Sequence, residues 1–341
     1  MIIAVDAAGG DYAPYEIVKG AIKAAQEYKV DIALVGRKSV LHVLASRHLN
    51  KAGITIIDAS QTIELHESPV KAVSSKPDSS IVVGINLVRD GVVSAFVSAG
   101  NSGAVVCAAL FSLGRIEGIK RPAICGIINI TPSAPVFLID AGANVDCRPE
   151  YLVQFAELGT IYTRQLLDIS SPRVGLLSNG EEEAKGNRLI RESHKLLKKS
   201  NVNFIGNVEG QDISKRTADV IVTDGFTGNI VVKTMEGLSD TFLNSLRQVG
   251  QRISGALHGH GLLHTVGLSS WAKRIDYREY GGACLLGVNG NIIIAHGRSQ
   301  ARAIKNAIGL AKQTVERDVC QMIKEESRKQ ATAIDDSNFD K

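Results

Sequence analysis

The feature that most constrains this chain is a hydrophobic period that keeps switching between two residues and about three and a half. Short Val- and Ile-rich runs at residues 2–5, 32–35, 54–57, 94–97, 123–128, 136–139, 174–177, 203–205, 220–222 and 292–295 read as strands. Between many of them lie amphipathic stretches, at 16–28, 40–49, 150–166 and 183–199, that read as helices. Such alternation predicts a mainly parallel sheet covered on both faces, with ligands held where strand ends meet helix starts. No Pro/Gly/Ser-rich linker divides the chain. Residues 1–324 are therefore expected to form a single α/β unit, or two lobes with a cleft between them. Residues 59–80 read as a long polar loop, and 325–341 as a flexible polar tail.

Composition removes several classes of function. The formal charge of +4 is too small to argue for nucleic acid, and the basic run 195–199 reads as the wet face of a helix. The mild excess of Lys and Arg would suit an acidic protein partner or an anionic surface. The five cysteines (Cys107, Cys125, Cys147, Cys284, Cys320) are odd in number and form no C-x-x-C pair. Neither a disulfide framework nor a zinc site is expected, and a reducing cytoplasm fits. The chain enters a strand at once, without a basic leader. No apolar run approaches the ~20 residues that span a bilayer. A soluble protein, able to sit on a membrane surface, is the expectation.

Two distant segments share one spacing: Ser98-Ala99-Gly100-Asn101-Ser102-Gly103-Ala104 and Thr223-Asp224-Gly225-Phe226-Thr227-Gly228-Asn229. Each follows a strand, passes through a hydroxyl-and-glycine turn and enters a helical pattern. A helix start leaves backbone N–H groups unpaired, and small side chains let an anion approach them. Each turn alone is also what an ordinary capped helix looks like. Together they point to a pocket that holds phosphate, with Lys233 one helical turn beyond Asn229 as an added cation.

Other segments are weaker signals. Asp6-Ala7-Ala8-Gly9-Gly10-Asp11 is a strand-to-helix turn whose adjacent glycines do not make the dinucleotide fingerprint. Asp140-Ala141-Gly142-Ala143-Asn144 closes another strand. After residues 174–177, Glu181, Glu182 and Glu183 suit a helix macrodipole but point in different directions, while Lys185 is a candidate substrate contact. His296-Gly297-Arg298-Ser299 ends the last strand, and His296 could give a proton or orient a neighbour. His258, His260 and His264 lack a carboxylate or thiol beside them, so no metal is expected. From 234 to about 275 an apolar stripe (Met235, Leu238, Phe242, Leu246, Val249, Ile253) leads into a glycine-rich tip. That tip carries Leu257, Leu262, Leu263 and Val266, as a hairpin seeking a second subunit or a membrane surface would. No recognised covalent nucleophile motif occurs, and none is needed if a phosphate oxygen attacks.

In order along the chain, the segments 6–11, 98–104, 121–123, 140–144, 180–187, 207–210, 219–229 and 280–288 together resemble the bacterial phosphate acyltransferases (PlsX type). The resemblance runs from residue 1 to about 311. It implies a three-layer α/β/α sandwich similar to phosphotransacetylase and isopropylmalate dehydrogenase. It also implies transfer of a fatty acyl group from acyl carrier protein to inorganic phosphate, feeding phospholipid (phosphatidic acid) synthesis. No cofactor is implied. Further implications are a homodimer, peripheral membrane contact and a membrane glycerol-3-phosphate acyltransferase as functional partner. The matching positions make Lys185, Asp224 and His296 the catalytic candidates. Asp6, Gly9, Gly10, Ser98, Asn101, Ser102, Gly103, Asn144, Thr223, Gly225, Thr227, Gly228, Asn229, Lys233, Arg298 and Ser299 are the substrate-binding candidates. Ala8, Ser102, Cys284 and Arg298 depart from the family's usual Met, Thr, Pro and Ser, and Arg298 sets a cation beside His296. A dehydrogenase on the same fold and a non-catalytic acyl-phosphate or lipid-binding regulator are the competing readings. The first lacks a paired-Asp metal site or dinucleotide loop.

Overall fold

The computed structural model describes residues 1–49, 53–128, 135–256 and 281–339. The first half runs β1 (Ile2–Asp6), α1 (Tyr15–Tyr28), β2 (Asp31–Gly36), α2 (Lys38–Ala45), β3 (Ile54–Asp58), α3 (Pro69–Ser75), α4 (Ser80–Arg89), β4 (Ala95–Ser98) and α5 (Ser102–Ser112). Next come β5 (Ala123–Ile128), β6 (Val136–Ile139), α6 (Pro149–Leu167), β7 (Val174–Leu177), α7 (Arg188–Leu197), β8 (Phe204–Val208), α8 (Asp212–Lys215) and β9 (Val220–Val222). The long α9 (Gly225–Ala256), β10 (Ala283–Leu286), β11 (Asn291–Ile294), α10 (Ala301–Glu316) and α11 (Val319–Phe339) complete the described chain.

The strands join in one 11-stranded sheet, ordered β3-β2-β1-β4-β11-β10-β5-β6-β9-β7-β8. Both flanks are parallel, but β11–β10, β10–β5 and β5–β6 pair antiparallel. Three reversals lie between β4 and β9, so these two strands run in opposite directions. Strand β10 escaped the sequence reading because it is a four-residue antiparallel insert directly after Gly281 and Gly282. The segment 59–80 is not structureless either. It contains α3, started by Pro69, whose fixed φ and missing N–H suit a first helical turn.

Side chains alternate between the two faces of the sheet and bury both. Toward one face, α1, α6 and α10 cover a core that includes Ile3, Ile32, Leu34, Val97, Phe155 and Tyr162. Each such buried aliphatic contributes about 1.5–3 kcal/mol over an exposed one. Helix α1 presents Ile17, Val18, Ala21, Ala24 and Ala25 at helical spacing and packs on α10. Toward the other face, α4 and α5 lie over one flank. Val232 and Met235 of α9 pack at the other, beside Ile128, Leu138 and Ile221. The result is the three-layer α/β/α sandwich. Helix α9 runs through the first part of the segment expected as a hairpin, while Leu257, Leu262, Leu263 and Val266 lie outside the described residues. Helix α11 runs through most of the segment expected as a tail.

Candidate active site

Two buried aspartates organise the strand-end loops. Asp6, at the end of β1, accepts the amides of Ala8 and Gly9 at 3.1 and 3.0 Å and the Ser98 hydroxyl at 2.6 Å. Asp140, after β6, accepts the amides of Ile124, Gly142, Ala143 and Asn144 and the Asn144 side-chain amide, at 2.8–3.2 Å. Burial pushes both carboxyls above their ordinary range, against the pull of those donors. Asn144 in turn donates to the Pro122 carbonyl at 2.7 Å, and its own carbonyl accepts the Gly225 amide at 2.7 Å. The Asp140 loop is thereby tied to the start of α9. Gly228 packs directly on the Asp140 carbonyl, where a Cβ would collide with backbone.

The matched turns prove to be helix caps first. Asn101 caps α5 by accepting the Ala104 amide at 3.0 Å, and its NH2 donates to the carbonyls of Glu64, Leu65 and Glu67. Asp224 caps α9, accepting the Thr227 amide at 2.9 Å and the Thr227 hydroxyl at 2.8 Å. Ser98 is bound to Asp6 and to the Gly100 amide. Thr223 is fully buried. Because β4 and β9 run in opposite directions, the turns do not form one continuous rim.

What the turns launch does converge. A cleft of about 280 Å³ lies beside α9 over the central strands β5, β10 and β11, with Ser102 of α5 at its edge. Asn229, Val232, Lys233, Glu236 and Ser239 reach it from one face of α9, at three- and four-residue steps. Ile124, Gly126, Ile128, Ala283 and Ile294 supply apolar floor and wall, and His296 and Ser299 close one side.

The polar end is a three-residue cluster. Lys233 Nζ lies 2.8 Å from Glu236 Oε2 and 2.7 Å from His296 Nε2, and His296 Nε2 lies 3.1 Å from the same Glu236 oxygen. His296 Nδ1 accepts the Arg298 amide at 3.0 Å, while Nε2 faces both the Lys233 ammonium and the Glu236 carboxylate. Burial alone would raise the Glu236 carboxyl, but hydrogen bonds and charge from His296 and Lys233 outweigh it and hold Glu236 below its ordinary value. One carboxylate thus holds Lys233 and His296 side by side. The lysine is about half exposed, at 55%.

Of the sequence candidates, Ser102, Asn229, Lys233, His296 and Ser299 line the cleft. Gly142, from the Asp140 loop, does so too. Asp6, Gly9, Gly10, Ser98, Asn101, Gly103, Asn144, Thr223, Asp224, Gly225, Thr227 and Gly228 are not among the lining residues and instead belong to the loops and caps around it. Lys185 is exposed on the loop between β7 and α7 and is not among the lining residues. Arg298 pairs with Asp240 at 3.4 Å. Glu236 was missed. It sits inside an apolar stripe, one turn after Lys233, and the available signal was that a lone acid in such a stripe needs a cationic partner.

A family model described as "Fatty acid synthesis protein" matches residues 1–322. A phosphate acyltransferase of Dehalococcoides mccartyi is 58% identical over 335 residues, covering 98% of this chain and 96% of that one. A phosphate acyltransferase of Dictyoglomus turgidum is 47% identical, covering 95% and 97%. Among solved structures, a phosphotransacetylase from Streptococcus pyogenes superposes with a TM-score of 0.59 at 18% identity, covering 95% of this chain and 94% of that one. A 4-hydroxythreonine-4-phosphate dehydrogenase from Klebsiella pneumoniae gives 0.55 at 13%, covering 92% and 99%. These two likenesses speak for the fold alone.

Proposed function

The chain belongs to the fatty acid synthesis protein family and is a phosphate acyltransferase; from that premise we propose that it moves a fatty acyl group from acyl carrier protein to inorganic phosphate. Acyl phosphate would be the product, feeding phosphatidic acid synthesis through a membrane glycerol-3-phosphate acyltransferase. The observation that carries this reading is the convergence of Ser102, Asn229, Lys233 and His296 on a cleft whose floor and wall are apolar. Lys233, Asn229 and Ser102 hold phosphate beside the thioester. A phosphate oxygen attacks the carbonyl carbon, the C–O bond forms, and charge develops on the carbonyl oxygen. That charge is stabilised by the same donors. The C–S bond then breaks, and the proton that hydrogen phosphate gives up as it is acylated passes to the leaving thiolate, with His296 beside the path. Glu236 holds Lys233 and His296 in position, a positioning role.

A homodimer with peripheral membrane contact belongs to the same proposal. Its support is the described part of α9, where Ile230 and Leu238 are 50% and 62% exposed. No helix among the described residues is long and apolar enough to cross a membrane. The test of the reaction is loss of acyl thioester from acyl carrier protein with and without phosphate. Phosphate-dependent loss with accumulation of acyl phosphate is expected, and equal loss without phosphate refutes the reading.

A further inference from the structure

We infer that Gly126 sets the length of acyl chain accepted, by keeping open a trough across the floor of the cleft; this rests on the acyl-transfer reading above. Ile124, Gly126 and Ile128 fall on one face of β5, because side chains alternate along a strand. Gly126 pairs with Leu138 of β6. On the other side, one step beyond the Cys284–Cys125 pair, it stands opposite Ala283 of β10. Small side chains therefore stand side by side on the floor at Ala283 and Gly126, with the Ala141 methyl near Gly126, while Leu138 bounds the row on β6 and Ile124 and Ile128 flank it along β5.

Glycine is not required there by its neighbours. A Cβ at Gly126 would meet the Ala141 Cβ at 3.5 Å and the Val232 Cγ2 at 3.9 Å, ordinary contact distances. Glycine inside a strand costs about 0.5–1 kcal/mol relative to alanine, and it often marks a close approach by a ligand or another backbone. No backbone approaches closely here, the nearest being the Leu138 carbonyl at 4.0 Å, so a ligand is left. The surrounding Ile124, Ile128, Val232 and Met235 offer no hydrogen bonds, and the β5 amides are committed to the sheet. An alkyl chain needs no partner. The amide-bearing arm of a carrier does, so the trough suits the chain.

The experiment compares hexanoyl, decanoyl and palmitoyl carriers as substrates for wild type, Gly126→Ala and Gly126→Leu. A side chain filling the trough should lower the palmitoyl-to-hexanoyl ratio of kcat/KM by about tenfold or more for Gly126→Leu, and by less for Gly126→Ala. Should Gly126→Leu fail to fold by circular dichroism, Met235→Trp from the opposite wall carries the same expectation. An equal loss on all three substrates, or an unchanged ratio in the folded variants, overturns the assignment while leaving acyl transfer intact. Wild type inert toward every carrier in the presence of phosphate would sink both.

Discussion

The starts of α5 and α9 have the same spacing of hydroxyl and glycine residues, yet they lead into different helices. Both are capped by a side chain that takes an amide three residues on, Asn101 for Ala104 and Asp224 for Thr227. Both stand beside a buried aspartate that gathers loop amides, Asp6 in one case and Asp140 in the other. After that they diverge. Helix α5 continues into the apolar Ala104, Val105, Ala108 and Ala109, and of its residues only Ser102 lines the cleft. Helix α9 continues into Asn229, Lys233 and Glu236, one polar residue per turn, all facing the cleft. A shared form of cap thus precedes an apolar helix on one side and a polar helix face on the other. Under the acyl transfer proposed above, the chemistry belongs to the second and third turns of α9, not to its cap.

That asymmetry can be broken experimentally. Lys233→Met should have the largest effect, a fall in phosphate-dependent turnover on the order of a thousandfold, with only a small loss of stability from the pair with Glu236 because the lysine is half exposed. If turnover survives, α9 does not carry the reaction. Asp140→Ala should instead act on the fold. Four backbone amides lose their acceptor, and the loss of about 3 kcal/mol should appear as a lowered midpoint in urea. A variant as stable as wild type would mean that the loop holds itself. Asn229→Ala should cost on the order of a hundredfold in rate and Ser102→Ala about tenfold, sharpening the contrast between the two helices. Equal losses, or none, would make the starts interchangeable.

The smallest effect is on pH dependence. Glu236 is held below its unfolded value of 4.5 by His296 and Lys233 despite burial. A depressed carboxyl stabilises the fold above its unfolded value, and that contribution is lost as pH falls through the lower folded value. Glu236→Gln should therefore lower stability most at neutral pH and flatten the acid limb below about 4.5, so that the variant converges on wild type as pH falls. An acid limb identical to wild type would show that the carboxylate gains nothing from its partners.

Much of this architecture was legible in the sequence, because period is a property of the chain. Parallel strands buried on both faces show as Val/Ile runs, and residues 123–128 and 136–139 were read to their ends. Strand β10 was not, since four residues behind two glycines carry too little pattern to separate a strand from a turn. The turns themselves were legible, but not the direction of the strands that feed them. Direction depends on pairing between distant segments, and it decided that Asp224 would cap a helix while Asn229 reached the cleft. Glu236 was hidden for the same reason, its partner His296 lying sixty residues further on.

Phosphate binding tests the central claim most directly, because it separates the two lysines that the sequence offered. Calorimetric titration with inorganic phosphate should show binding to wild type, binding weakened about tenfold or more in Lys233→Met, and no change in Lys185→Met. Phosphate bound normally by Lys233→Met but lost in Lys185→Met would place the anion on the loop after β7 and contradict the account.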